Sequence, residues 1–176
     1  MQTESQTESL EKEIQAAEHP RELAVDVMAA IQARDGYLSD AGVAEAAGLL
    51  GMSPVEIEEL ATFYTFIYRE PVGRYVIHIC DSVVCWMEGA ETIGEHLMKA
   101  LGIRMGETTP DGLFTLLPVC CIGYCDRVPA ILINKKAYGP LTIGELDRII
   151  DGLRNSDDAN EAAAEAANPK KQVLKR

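Results

Sequence analysis

Four cysteines in two short pairs constrain this chain more than any other feature: Cys80-Asp81-Ser82-Val83-Val84-Cys85 and Cys121-Ile122-Gly123-Tyr124-Cys125. Each pair is spaced too tightly for chance packing, and a fold that uses all four must carry two distant segments to one place. Four thiolates are the ligand set of structural zinc and of iron–sulfur clusters alike. The first interval is slightly long for zinc, which favours iron–sulfur while leaving zinc open. No Cys-x-x-Cys occurs, so thioredoxin-type dithiol chemistry is the weaker alternative. A fifth cysteine, Cys120, lies as far from Cys125 as Cys80 does from Cys85, and spacing alone does not choose between Cys120 and Cys121. The structural reading of the unused one is a small buried hydrophobe at a strand end.

Composition limits what the centre can serve. The start, Met1-Gln2-Thr3-Glu4, is polar and acidic, unlike a secretory signal or an arginine-rich presequence, which leads us to expect a reducing cytoplasm. Cysteines there are expected to ligate metal or do redox chemistry rather than form disulfides. A net charge of -12 offers no basic stripe for nucleic acid, so partners should be proteins or small cofactors. Solubility alone would also account for that charge. No apolar run approaches the length of a membrane-spanning helix.

The 176 residues suffice for one substantial core with a helical lead-in. Residues 1–19 are polar, with scattered Leu10 and Ile14 that allow a weak helix but not a core, and read as a mobile arm. From 20 to 70 the pattern predicts a helical bundle. Its first helix opens at Pro20 with Leu23, Val27, Met28 and Ile31 on one face and stops at Gly36. A second spans Asp40 to Leu50, and a third opens on the capping box Ser53-Pro54-Val55-Glu56. Residues 71–155 read as strand, helix, strand, strand, strand, helix, a sheet with helices packed on it. Its strands are Tyr75–Ile79, Phe114–Val119 and a hairpin turning at Asn134-Lys135-Lys136; its helices are Ala90–Leu101 and one capped by Thr142 and Glu145. Both cysteine pairs are then expected on loops following strands. Residues 156–176, rich in Asp, Asn, Ala and Glu, read as a disordered tail.

Nothing in the chain supplies a dinucleotide fingerprint, a P-loop or a nucleophile paired with a histidine. His19, His78 and His96 lie outside both cysteine loops, which speaks against a Rieske-type centre. Electron transfer on behalf of a partner protein is the reading that needs no substrate site. Asp81, Glu88 and Asp126 against Arg127 make an acidic surround that would lower a cluster's potential, and Gly123 leaves room for backbone N–H groups near sulfur.

Several segments together resemble a family of respiratory complex I proteins, the thioredoxin-like 2Fe-2S component (the E subunit) of NADH:quinone oxidoreductase. They are Gly36-Tyr37-Leu38-Ser39, the run Glu59 to Phe66, Pro71 to Tyr75, Asp111 to Thr115, Leu132-Ile133-Asn134 and the two cysteine motifs. The resemblance spans roughly Leu23 to Leu153. It implies an α+β chain in which an N-terminal helical bundle precedes a thioredoxin-like domain with a mixed sheet. It further implies one 2Fe-2S cluster held by Cys80 and Cys85 on one iron and Cys121 and Cys125 on the other, and so selects Cys121 over Cys120. The neighbours it implies are a flavin subunit binding NADH and FMN and a larger iron–sulfur subunit. Its location would be the peripheral arm on the cytoplasmic face of the bacterial inner membrane, as part of a translocating enzyme whose active site this chain does not contain. A soluble NAD-linked hydrogenase or formate dehydrogenase uses a similar module and is the alternative; a zinc-stabilised interaction domain is a third. Val128 before Pro129, where Ala is more familiar, and the tail depart from the family pattern.

Overall fold

The computed structural model describes residues 10 and 12–167, with side chains through Ser156. The chain divides after Gly73 into two compact units, each with a hydrophobic core of its own.

In the first unit a single 3-10 turn, Pro20–Leu23, leads into α1 (Ala24–Asp35), α2 (Asp40–Leu50) and α3 (Pro54–Phe63). The first helix, expected from Pro20, begins at Ala24 because Pro20–Leu23 winds as a 3-10 turn, whereas serines start α2 and α3 and glycines stop α1 and α2. Ser39 Oγ accepts from the Gly42 N–H at 3.1 Å, and α1 and α2 stop at Gly36 and Gly51. The expected capping box is complete: Glu56 N–H donates to Ser53 Oγ while the Ser53 N–H donates to the Glu56 carboxylate at 2.8 Å. Met28, Leu38 and Ile57 are wholly enclosed at the centre. Arg69 closes the unit from outside, pairing with Glu58 at 2.9 Å and Asp40 at 2.8 Å and donating to the Leu38 carbonyl. The expected mobile arm differs within its described part. Residues 12–16 are helical and Ile14 is buried in this core, because its aliphatic side chain gains more by joining the bundle than the polar flanks lose. The rest of the arm, residues 1–9 and 11, lies outside the described residues.

The second unit is a four-stranded mixed sheet in the order β2-β1-β3-β4, built from β1 (Tyr75–Cys80), β2 (Phe114–Val119), β3 (Ile131–Ile133) and β4 (Lys136–Tyr138). Between β1 and β2 come α4 (Val83–Met87) and α5 (Ala90–Leu101), and α6 (Ile143–Ala167) follows β4. β1 and β2 are parallel, Tyr75 facing Phe114 and Cys80 facing Val119; β3 runs antiparallel to β1 and β4 to β3. Ile77, Leu97, Phe114, Leu116, Ile131 and Leu146 meet in a dry core between sheet and helices. The fold is α+β with a mixed sheet. Two details depart from the sequence reading: Cys80 is the last residue of β1 rather than part of a loop, and Cys85 sits in a short helix, α4. The last helix also runs to Ala167, past Ser156 where a disordered tail was expected; residues 168–176 lie outside the described residues.

Candidate metal centre

Parallel pairing of β1 and β2 brings the two cysteine motifs to one edge of the sheet, because both strands end on the same side. Cys80 faces Val119 across the ladder, and the Asp81 N–H donates to the Val119 carbonyl at 3.0 Å, so the chain reaches Cys121 two residues beyond a fixed point. α4 then turns back toward the strand end. The Trp86 N–H donates to the Ser82 carbonyl at 2.8 Å, and of the five residues of α4 only Cys85 is buried. Cys80 and Cys85 are almost sealed, at 1% and 2% exposure, in a small apolar cluster with Ala90, Val119 and Ala130, against which Ile122, Tyr124 and Val128 pack.

The second motif is an open loop on which Cys121 and Cys125 are exposed, as is Cys120. Gly123 has φ 74°, a left-handed conformation that costs a residue with a Cβ, and its N–H donates to Cys121 Sγ at 3.3 Å. The Arg127 N–H closes the turn on the Tyr124 carbonyl at 3.1 Å.

The thiols feel one another. Burial pushes Cys85 up to about 11; its hydrogen bond with Cys80 and the charges of Cys80 and Cys125 act in the same direction, while the Ala130 backbone N–H opposes them. Cys125 is also raised, first by partial desolvation, then by the charge of Cys121 and a hydrogen bond with it, and by Cys80 and Asp126. After burial, Cys80 and Cys125 act on Cys85, and Cys121 and Cys80 act on Cys125. Among the described residues no group of three or more histidine, cysteine or carboxylate side chains is arranged to hold a metal ion. The thiols fall instead into two mutually interacting pairs, Cys80 with Cys85 and Cys121 with Cys125, and Cys80 also acts on Cys125. Four thiolates at such range repel, so their joint ionisation calls for compensating positive charge. A 2Fe-2S cluster would supply it, and the four thiols present are the donor type that such a group takes.

His78 is enclosed in β1, where burial lowers its pKa, and His96 bonds Asp147 at 2.6 Å; neither faces the cysteines as a ligand. Asp126, one of the acidic residues expected around the centre, acts on Cys125, and its carboxylate lies 3.8 Å from the Arg127 guanidinium. Sequence reasoning missed α4 and the backbone donor at Ala130. The apolar run Val83-Val84 beside a ligand was the available signal for the former.

Comparison with known proteins places these features among relatives. A family model described as thioredoxin-like [2Fe-2S] ferredoxin matches residues 10–154. The E subunit of NADH-quinone oxidoreductase from Pseudomonas aeruginosa is 40% identical over 137 residues, covering 78% of this chain and 82% of that protein. Its counterpart of the same name in Escherichia coli is 38% identical over 147 residues, covering 84% and 89%. Among solved structures, a chain of an NAD+-reducing [NiFe]-hydrogenase in the air-oxidised state superposes with a TM-score of 0.63 at 30% identity, over 74% of this chain and 23% of the hydrogenase chain.

Proposed function

The chain belongs to the thioredoxin-like [2Fe-2S] ferredoxin family, and on that premise we propose that it is the electron-transfer subunit of an NADH:quinone oxidoreductase. The observation that carries this reading is the meeting of two thiol pairs at one sheet edge. A 2Fe-2S cluster supplies one-electron exchange.

In this reading Cys80 and Cys85 ligate one iron and Cys121 and Cys125 the other. The sealed pair holds its side chains in an apolar shell, which restricts water at that end. The Ala130 N–H favours the ionised Cys85 sulfur, and the Gly123 N–H donates to Cys121 Sγ at 3.3 Å, so a backbone donor serves each pair. Cys121 and Cys125 are exposed, so that end of the centre is the less enclosed one. Hydride transfer belongs to the neighbouring subunit that binds NADH and FMN, with a larger iron–sulfur subunit close by, in the arm of the complex outside the membrane. No helix among the described residues is long and apolar enough to cross a membrane.

The hydrogenase likeness favours one second reading, the equivalent module of a soluble NAD-linked enzyme. This chain spans under a quarter of that hydrogenase chain, so the likeness concerns the module only. Purification under native conditions separates the two: membrane subunits and quinone reduction accompany the first, a hydrogenase or formate dehydrogenase subunit the second.

Iron and acid-labile sulfide analysis with electron paramagnetic resonance of the reduced protein tests the cluster itself. The expected result is two irons and two sulfides per chain and a rhombic or axial signal appearing only on reduction. A colourless protein holding one zinc would overturn the electron-transfer reading.

A further inference from the structure

The short helix that carries Cys85 is apolar on its outside. Val83, Trp86 and Met87 are 64%, 60% and 72% exposed, and the one buried side chain of α4 is the ligand. Scattered surface hydrophobes need no explanation, but adjacent ones on a single turn beside a ligand form a patch that water penalises until it is covered. Beside it a cleft of about 310 Å³ is lined by Ile79, Cys80, Trp86, Met98 and Pro118. Its lining is also acidic: Glu91 and Glu95, one turn apart on α5, and Asp81 are exposed and line it.

We propose that α4 and this cleft are the surface on which the electron partner docks, and that the partner presents an apolar side chain flanked by lysine or arginine. This rests on the electron-transfer reading above and names the surface it uses. Charge decides the occupant. A second copy of this chain, with its net charge of -12, would set carboxylates against carboxylates, whereas a basic rim around an apolar knob complements both parts of the surface. Trp86 is suited to be the anchor: it is large, amphipathic and stiff, and residues of its kind dominate binding when seated in a partner's pocket. Position serves the chemistry, since electron tunnelling falls steeply with distance and this patch begins at the residue following Cys85.

The test is binding of the full-length holo-chain to the purified flavin- and NADH-binding subunit of the same complex, followed by surface plasmon resonance at several salt concentrations. Trp86→Ala should weaken binding about 30-fold, mainly by faster dissociation. The pair Glu91→Lys with Glu95→Lys should slow association about tenfold at low salt and flatten its salt dependence. Both variants should keep the wild-type cluster absorption, because all three side chains are exposed. Wild-type affinity in both variants would overturn the surface while leaving the function standing. Self-association of the holo-chain abolished by Trp86→Ala, with flavin-subunit binding unchanged, would assign the patch to a second copy and also overturn the proposal. No binding by the wild type would remove the functional reading, and the surface with it.

Discussion

At the scale of single residues, the choice between Cys120 and Cys121 separates what spacing can say from what a fold adds. Five cysteines compete for four positions, and either interval to Cys125 is chemically tolerable. In the structure the Gly123 N–H points at Cys121 Sγ, and Cys121 acts on Cys125 by charge and hydrogen bond. Cys121→Ser should therefore lose most of the cluster, whereas Cys120→Ser should keep near wild-type iron content and visible absorption. Equal loss in both would count against this ligand set. A second residue-scale expectation concerns alkaline pH. Burial pushes Tyr68 up to about 12, above the ordinary tyrosine value near 10. The folded state thus holds a proton that the unfolded state has lost between those two values. The contribution of Tyr68 to stability is present below about pH 10 and falls away as pH rises toward 12. Tyrosinate absorbance should show one late-ionising group, and Tyr68→Phe should remove that late component. A titration curve identical to the wild type would show that Tyr68 ionises with the others.

At the scale of elements, legibility follows whether local chemistry or tertiary contact decides the conformation. The bundle helices α1, α2 and α3 were readable because an apolar face recurs along them, with serine caps opening α2 and α3 and glycines stopping α1 and α2. α4 was not. It holds two consecutive valines and makes barely more than one turn, so its helicity depends on Cys85 being drawn into the apolar cluster rather than on propensity. The bracing of the second cysteine loop was equally hidden. The Leu141 N–H donates to the Pro129 carbonyl at 3.0 Å, and Gly139 passes so close that a Cβ there would lie 2.1 Å from the Arg127 carbonyl oxygen. A backbone atom at that distance cannot yield as a side-chain tip does. Gly139→Ala should cost about 2 to 3 kcal/mol of stability by overpacking and reduce cluster occupancy by displacing the Cys121–Cys125 loop. Gly144→Ala, with open space around its Cβ, is the matched control and should leave both unchanged. Normal iron content and melting temperature in Gly139→Ala would show that the loop is not braced there.

At the scale of the whole molecule, the chain divides its labour between a helical unit with its own core and a sheet unit that carries the cysteines, whereas length alone suggests one main core. The reading of residues 156–176 as a tail is compositional, and composition reports the lack of apolar side chains, not the backbone state. Helix α6 runs on to Ala167 because alanine and glutamate favour helix whether or not they pack. What matters for the centre is where packing stops. Ile150 is buried against the sheet core, Leu153 packs on its margin, and the Arg154 guanidinium lies 5.6 Å above the Phe114 ring. Phe114 in turn heads β2, whose far end leads into Cys121. Ending the chain after Asn155 should therefore preserve cluster absorption and shift the melting temperature little, since every one of these contacts survives. Ending it after Arg148 removes Ile149, Ile150 and Leu153 and should destabilise the sheet unit by about 3 kcal/mol or more, from loss of a buried isoleucine and two partly buried neighbours. Comparing the visible spectra and thermal melts of the two truncations locates the boundary. Equal loss of the cluster in both would mean that the helix beyond Asn155 supports the centre, whereas equal retention would mean that the sheet holds its cysteines without α6.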